Sequence, residues 1–365
     1  MMKMGNLEKI LPKESKTVKA IMDAWKDKGD SEAPRTYLGA SILGHHCSRY
    51  LWYEFRWCGG EDFPGRLYRL FDRGNCEEPR MVADLKMIGC TVHETGEDGE
   101  QFAVSFADGH GGGHMDGCAL GIPEAPKTWH VIEFKTHSTK SFRALEKDGV
   151  QQSKPMHWAQ MQIYMCLTKM TRALYLACNK DTDALYAERI RLDKESAMQY
   201  VTRAERITKA LAPPLGAGSG PDDPGCKYCP HIGLCFGNPA GVACPCKISC
   251  RSCVFATPEA DGKWVCGTRE KELSHADQVA GCSRHVFGPG LIHFAEMINA
   301  GKAENGNIYA EYMNESDNTI WINGSSKVDG HYSSVELTKM PYQALCRGCD
   351  EVSTIKKAFK GEVVG

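Results

Sequence analysis

The chain predicts an α/β protein in which helices flank a mixed central sheet, followed by a cysteine-rich module and a small β-rich unit. Three observations carry this. Amphipathic helical patterns alternate with short apolar strand patterns up to about residue 211. The stretch 212–225 (APPLGAGSGPDDPG) has the composition of a linker. Nine of the 18 cysteines then fall between Cys226 and Cys282. At 365 residues, more than one compact unit is expected. The units are placed at 1–212 (core), 213–240 (linker and first cysteine group), 241–289 (second cysteine group) and 290–365 (β-rich tail).

Val18, Ile21, Met22 and Trp25, at i, i+3, i+4 and i+7, predict an amphipathic helix over 14–29. The aromatic run 47–57 and the longer pattern 66–88 predict two more, the second with Arg73-Gly74 in its path. Strand patterns follow at 101–107, 113–120 and 129–135, with Gly/Pro-rich breaks between them. Pro155 opens a helix over 155–170. Strands at 172–178 and 184–192 flank the turn Asn179-Lys180-Asp181, and Asp193 N-caps a helix over 194–211. In the tail, Thr319-Ile320-Trp321-Ile322 and Ser334-Val335-Glu336-Leu337 alternate as strands do.

Composition removes several classes. With 42% hydrophobic and 25% charged residues, the chain is an ordinary globular protein. No apolar run approaches the ~20 residues of a membrane helix. Met1 to Lys13 carries charges but no apolar signal core, so a cytoplasmic location is expected. In that compartment, clustered cysteines at two-residue spacing point to metal rather than to disulfides. The net charge of −2 gives no global attraction for a polyanion. A local basic patch remains at 135–172, with seven Lys/Arg against Glu146 and Asp148.

Two short runs carry the chemistry: Gly113-His114-Met115-Asp116-Gly117 and Val131-Ile132-Glu133-Phe134-Lys135-Thr136. Each brings polar groups to the end of an apolar strand. Residues i and i+2 of a strand share a face, so Glu133 and Lys135 point the same way. If the two strands are adjacent and antiparallel, Asp116 joins them. Two carboxylates and a lysine at neighbouring strand ends suit a hard divalent cation such as Mg²⁺ or Mn²⁺. Lys135 is then placed to hold an attacking water or to stabilise developing negative charge. Phe134 is expected in the core, with its carbonyl as an extra candidate ligand.

These residues resemble the PD-(D/E)xK nuclease superfamily, in particular its RecB-like branch. Met115-Asp116 stands in the place of Pro-Asp, and Glu133-Phe134-Lys135 is the E-x-K. Arg73-Gly74-x-x-x-Glu78 looks like the upstream helix motif that supplies a further metal ligand, although Asn75 follows Gly74 where many relatives carry His nearby. Glu77 competes with Glu78, and the spacing after Gly74 together with the following Pro79 favours Glu78. Gln160-Met161-Gln162-Ile163-Tyr164 matches the Q-x-x-x-Y signature, which puts Gln160 and Tyr164 one turn apart. The resemblance implies a restriction-endonuclease-like core and a metal-dependent DNA nuclease. Glu78, Asp116 and Glu133 would hold metal, Lys135 would assist the water, and Gln160 and Tyr164 would position substrate. Arg143, Lys147 and Lys154 lie between the E-x-K strand and the Q-x-x-x-Y helix, and that connection is expected to contact phosphates, with a solvated charged loop as the alternative.

Cys226-x2-Cys229-x5-Cys235, with Cys47 far upstream, resembles the iron–sulfur members of this branch, such as the AddB nuclease domain and the CRISPR-adaptation nucleases. There four thiolates hold a [4Fe–4S] cluster that ties the two ends of the chain together. Zn²⁺ fits the same four ligands by spacing alone. Cys250-x2-Cys253, Cys266 and Cys282 look like a small zinc ribbon or treble clef, with His285 as the substitute for one of them. Gly262 to Cys266 reads as a short strand delivering a ligand. Cys244 and Cys246 are left over, as competitors for either metal or as reduced thiols. Cys346-x2-Cys349 is a weaker pair, read as structural or incidental. Cys58, Cys76, Cys90, Cys118, Cys166 and Cys178 are expected to pack as small apolar residues.

The aromatic run Tyr50, Trp52, Tyr53, Phe55 and Trp57 is expected to pack around the cluster and core rather than to stack on bases. By family analogy an exonuclease of bacterial or bacteriophage type is expected, acting in recombination, repair or end processing. No Walker-type motif is present, which disfavours a helicase–nuclease subunit. A single-strand annealing or binding protein is a candidate partner. Two alternatives stand beside this: an inactive nuclease fold that binds nucleic acid through its zinc module, and a CRISPR-adaptation-type end trimmer.

Overall fold

The structure, a computed structural model, describes residues 15–59, 63–238, 241–325 and 330–346. Met1–Lys13 and Cys349 lie outside the described residues. Among the described residues no helix is long and apolar enough to cross a membrane.

The chain opens with helix α1 (Lys16–Asp30), strand β1 (Leu38–Gly39) and the aromatic helix α2 (Ser48–Phe55). A long helix follows, α3 (Gly65–Met87), then short strands β2 (Thr91–His93), β3 (Ala103–Phe106), β4 (Gly111–His114) and β5 (Gly117–Leu120). Next come β6 (His130–His137), α4 (Thr139–Ser153), α5 (Pro155–Thr168), β7 (Arg172–Asn179), β8 (Leu185–Arg191) and α6 (Lys194–Lys209). Asp193 caps α6 as expected, accepting from the Ser196 amide at 3.1 Å.

The central sheet has five strands in the order β2-β5-β6-β7-β8. Only β6 and β7 run parallel; the other pairs are antiparallel. A smaller sheet, β1-β4-β3, lies beside it. One face of the central sheet packs under α3, where Met81, Val82 and Leu85 bury against Ile132, Phe134, Leu174 and Leu176. The neighbours of these strand residues in sequence, Val131, Ala173 and Tyr175, belong to the larger core with Ile163 and Tyr164 of α5. Strand β6 is therefore buried on both faces, which explains why its sequence is apolar except where chemistry needs otherwise.

The cysteine-rich part contains α7 (Ile232–Phe236), the sheet of β9 (Ala256–Pro258), β10 (Trp264–Cys266) and β11 (Lys271–Glu272), and α8 (His275–Ala280). A four-stranded tail sheet follows: β12 (Ala295–Lys302), β13 (Ile308–Asn314), β14 (Ile320–Asn323) and β15 (His331–Tyr332).

Four sequence expectations change. Ser334–Leu337 is a short helix, α9, not a strand: Ser333 and Glu336 form a capping box that closes one helical turn. The charged connection after β6 is helix α4, interrupted at Gly149, where φ is 68°. The strand expected at 113–120 is split between two sheets at Met115-Asp116. Gly117 makes the break, with φ 147° and a backbone so close to the His93 carbonyl that a Cβ would lie 2.5 Å from it. Cys76 is exposed rather than packed.

The units expected at 1–212, 241–289 and 290–365 share one buried cluster, which runs from Leu38 and Trp52 through Trp264 and Phe287 to Tyr312 and Leu345. Arg251 joins them most directly. It is 1% exposed, and its guanidinium donates to the carbonyls of Phe55 (3.0 Å) and Thr36 (2.7 Å) and to Gln278 Oε1 (2.8 Å). It also stacks 3.8 Å from the Trp57 ring centre.

Candidate active site

Register brings the acids together. β5 and β6 pair antiparallel with Gly117 opposite Ile132, so Asp116 enters the sheet beside Glu133. The contact is direct: the Phe134 amide donates to Asp116 Oδ2 at 2.7 Å. Glu78 reaches the same place from α3, where its charge is felt by Glu133 and Lys135. Glu78, Phe134 and Lys135 line one cleft of about 330 Å³ with Phe71, Gly74, Asn75 and Lys180. Glu77, one residue earlier, turns instead to a neighbouring pocket with Cys178 and Asp183, and meets Arg80 at 3.5 Å.

Glu133 is fully buried. Its one charged partner is Lys135, and neither carboxylate oxygen receives a well-directed hydrogen bond. A buried carboxylate without donors is costly. Burial pushes its pKa up to about 7 against the pull of Lys135, and Asp116 and Glu78 push it further the same way. Burial also raises the Asp116 and Glu78 carboxyls. Burial opposes charge on Lys135, but Glu133 and Asp116 outweigh it and hold the ammonium protonated. The Lys135 ammonium also donates to the Phe134 carbonyl at 3.0 Å, which occupies the carbonyl expected as an extra ligand. Three neighbouring carboxylates, one of them buried with both oxygens unsatisfied, are what a divalent cation relieves, so the chemistry of the donor set fits Mg²⁺ or Mn²⁺.

Gln160 and Tyr164 lie on α5 behind this group. Both are buried, at 6% and 2% exposure, so neither offers a surface to a bulky ligand as the structure stands. The Tyr164 hydroxyl accepts from Gln160 Nε2 at 3.3 Å and donates to the His114 carbonyl at 2.9 Å. Tyr164 therefore fixes the end of β4, two residues before Asp116. Gly113 allows this, since a Cβ there would lie 2.5 Å from the Tyr164 hydroxyl.

Sequence reading missed a polar cluster beside Lys135. The Tyr175 hydroxyl sits 2.8 Å from both His137 Nε2 and His157 Nδ1, and Ser141 Oγ lies 3.2 Å from His137 Nδ1. Burial first, then nearby lysines, depress His137 to about 4 and His157 to about 3, so both rings are neutral. The available signal was periodicity: Glu133, Lys135 and His137 share one strand face. Of the basic residues expected at phosphates, Arg143 and Lys147 are exposed on one face of α4. Lys154 instead turns inward, donating to the carbonyls of Ser141 and Ser153 at 3.2 Å. Lys180, not singled out before, stands in the cleft.

Among the described residues, no group of three or more Cys, His, Asp or Glu side chains is arranged so that it could hold a metal ion. What the cysteines show is convergence. Cys47, Cys226, Cys229 and Cys235 line one pocket walled by His45, Tyr50, Tyr53 and Phe236. Burial raises the Cys226 and Cys229 thiols, and the neighbouring sulfurs of Cys47 and Cys235 add to it. Backbone N–H groups of Gly218 and His231 point at these two sulfurs. Four soft donors around one apolar pocket, with amides aimed at sulfur, fit an iron–sulfur cluster.

In the second group, burial pushes Cys250 up to about 12, and the Cys282, Cys253 and Cys266 sulfurs reinforce it. Burial likewise raises Cys253, to about 11, although the Val286 and Phe255 amides donate to it. At Cys266 the opposing effect of burial is overcome by the Thr268 hydroxyl and the amides of Arg269 and Thr268. Amide donors on thiols of a four-cysteine group fit Zn²⁺. His285 is not free to replace a cysteine. Its Nδ1 meets Ser334 Oγ at 2.8 Å and its Nε2 meets Ser252 Oγ at 3.1 Å. Cys244 and Cys246 are buried next to Cys58 in neither group.

No protein-family model and no curated protein matches the chain. Solved structures give a faint likeness. The crystal structure of SSO0001 aligns with a TM-score of 0.35 and 16% identity, over 60% of this chain and 96% of that one. The alkaline exonuclease LHK-Exo from Laribacter hongkongensis aligns with a TM-score of 0.32 and 16% identity, over 51% and 90%. LHK-Exo in complex with dAMP gives 0.31 and 16%, over 52% and 90%. Scores this low assign neither fold nor activity, and the reading of the site rests on its residues.

Proposed function

We propose that the chain is a divalent-metal-dependent DNA nuclease that hydrolyses phosphodiester bonds, acting as an exonuclease in recombination, repair or end processing. One observation carries the reading. Glu78 of α3 and Lys135 of β6 line one cleft, and Asp116 and Glu133 lie beside them, Glu133 buried with both oxygens short of hydrogen bonds. Nothing in folding requires that arrangement, and it lowers the stability of the empty protein.

Glu78, Asp116 and Glu133 would hold Mg²⁺ or Mn²⁺, which when bound supplies an activated water and neutralises phosphate charge. Lys135 keeps its proton in the cleft and is positioned to stabilise negative charge building on the phosphoryl oxygens. Tyr164 and Gln160 act as positioning residues, holding the β4 end from which Asp116 projects. Lys180 and the exposed face of α4 are placed to contact the backbone of the bound strand. The preference for an exonuclease, and for a single-strand annealing or binding protein as partner, rests on the family resemblance alone.

The same reading assigns a [4Fe–4S] cluster to Cys47, Cys226, Cys229 and Cys235, and Zn²⁺ to Cys250, Cys253, Cys266 and Cys282. Both metals are structural here, since neither group touches the cleft. The test is hydrolysis of end-labelled DNA with Mg²⁺ or Mn²⁺, for wild type, Asp116→Ala and Lys135→Ala. Each substitution is expected to lower the rate by at least about 10²-fold. Cleavage that persists in both variants overturns the assignment. Anaerobic purification with iron, sulfide and zinc counted per chain tests the metals separately; zinc alone would remove the cluster and leave the nuclease standing.

A further inference from the structure

Phe71 is 49% exposed, although it lines the cleft that holds Glu78 and Lys135. It is held in place. Its ring packs edge-on against Phe63 (5.3 Å between centres) and Tyr68 (6.3 Å), which pack against each other at 5.8 Å. Tyr68 is fixed in turn by a 3.0 Å hydrogen bond to Asp30 and by Gly29, whose missing side chain leaves room for the ring. Phe71 thus presents a rigid, half-exposed aromatic face at the mouth of the cleft.

The spacing along α3 is informative. Phe71, Gly74, Asn75 and Glu78 fall at i, i+3, i+4 and i+7, and all four line the cleft. Two turns separate Phe71 from Glu78, about 10 Å. That is the length of about three stacked nucleotides at about 3.4 Å each. Between them lies a glycine that packing does not demand. A Cβ at Gly74 would meet only the Thr136 hydroxyl, at 3.9 Å. A glycine inside a helix is destabilising relative to alanine, and here what it provides is an open cleft floor. Lys180 lines the same cleft and offers a cation to a phosphate.

We propose that Phe71, backed by Phe63 and Tyr68, is a base-stacking subsite that holds an unpaired base of the strand whose phosphodiester lies at Glu78, Asp116 and Glu133. The proposal rests on the nuclease reading and narrows its substrate to single-stranded DNA or a frayed end. Aromatic rings receive bases of any identity, so the subsite adds affinity without sequence preference.

The test uses the full chain carrying Asp116→Asn, to slow cleavage, and a single-stranded oligonucleotide with 2-aminopurine at successive positions from its end. Binding is expected to quench 2-aminopurine at one or two adjacent positions. Phe71→Ala in the same background is expected to remove the quench and weaken binding about tenfold, whereas Phe71→Trp restores both. Val18→Ala, on the exposed face of α1, serves as the control for loss of a surface apolar side chain. Unaltered quenching and affinity in Phe71→Ala overturn the subsite, as does a parent chain that binds no oligonucleotide. Wild-type hydrolysis is measured in parallel. Cleavage with quenching indifferent to Phe71 sinks the subsite alone, and Phe71-dependent quenching without any cleavage sinks the nuclease reading alone.

Discussion

The acid cleft and the cysteine pocket both gather ligands from distant parts of the chain, but they are held in opposite ways. In the cleft, sheet register and the hydrogen bond from the Phe134 amide to Asp116 set the carboxylates before any ion arrives. In the pocket, Cys226 and Cys229 sit on a loop with only the short α7 behind it, far in sequence from Cys47. On the proposed reading, the difference teaches that one site is prepared by the fold, whereas the other would help to make it. An ion leaving the cleft should cost activity; an ion leaving the pocket should cost structure.

The strongest way to break this comparison is Glu133→Gln. It is expected to lower DNA hydrolysis by about 10³-fold and yet raise the melting temperature of the metal-free protein, because a strained buried charge is gone. The pH dependence sharpens it. The folded Glu133 carboxyl keeps its proton up to about 7, against a reference of 4.5. Between those values the native state binds more protons than the unfolded one, so wild-type stability falls as pH rises. In EDTA, the stability advantage of Glu133→Gln over wild type should therefore widen from about pH 5 to about pH 7. A constant gap would show that Glu133 is not titrating in that range.

Cys226→Ser should behave in the opposite sense. It is expected to remove iron and to destabilise the chain by about 3–5 kcal/mol in urea titration, as expected for opening a long cross-link. Activity per folded molecule should survive at low temperature. Equal stability and equal metal content in this variant would mean that the pocket holds no cluster.

Tyr175→Phe lies between the two extremes. It leaves His137 and His157 without the hydroxyl they share, at a cost of about 1–3 kcal/mol by calorimetry, with only a several-fold loss of hydrolysis. The smallest effect belongs to Glu77→Ala, which should leave the hydrolysis rate within about twofold, since Glu77 faces Arg80. A collapse of activity there would reverse the assignment of Glu78.

Much of the cleft was legible because its signals are local. Strand ends, a helix face and i, i+2 spacing placed Glu133 and Lys135 on a strand and Glu78 on a helix, whereas Asp116 lies in the break between β4 and β5 rather than inside one strand. What stayed hidden depends on partners far along the chain. Phe71 reads in sequence as one more apolar residue of a long helix, and its exposure shows only in the folded chain. His157 gains its meaning only when α5 lies across Tyr175. The helix at 139–153 was missed because Gly149 and a high charge density resemble a loop. Ser334 to Leu337 shows the limit of alternation over four residues, where a capping box outweighs a strand pattern.

Arg251 bears on the order in which the chain can be made. Phe55, Trp57 and Thr36 emerge from the ribosome early, and the guanidinium that their carbonyls and rings enclose arrives some two hundred residues later. At about 5–20 residues per second, the first part waits many seconds with an open socket. A nascent chain stopped at residue 240 should therefore be digested readily by protease, and one extended past β14 should resist it. Competence for DNA cutting would then be acquired late in synthesis, when the third quarter of the polypeptide closes over the first.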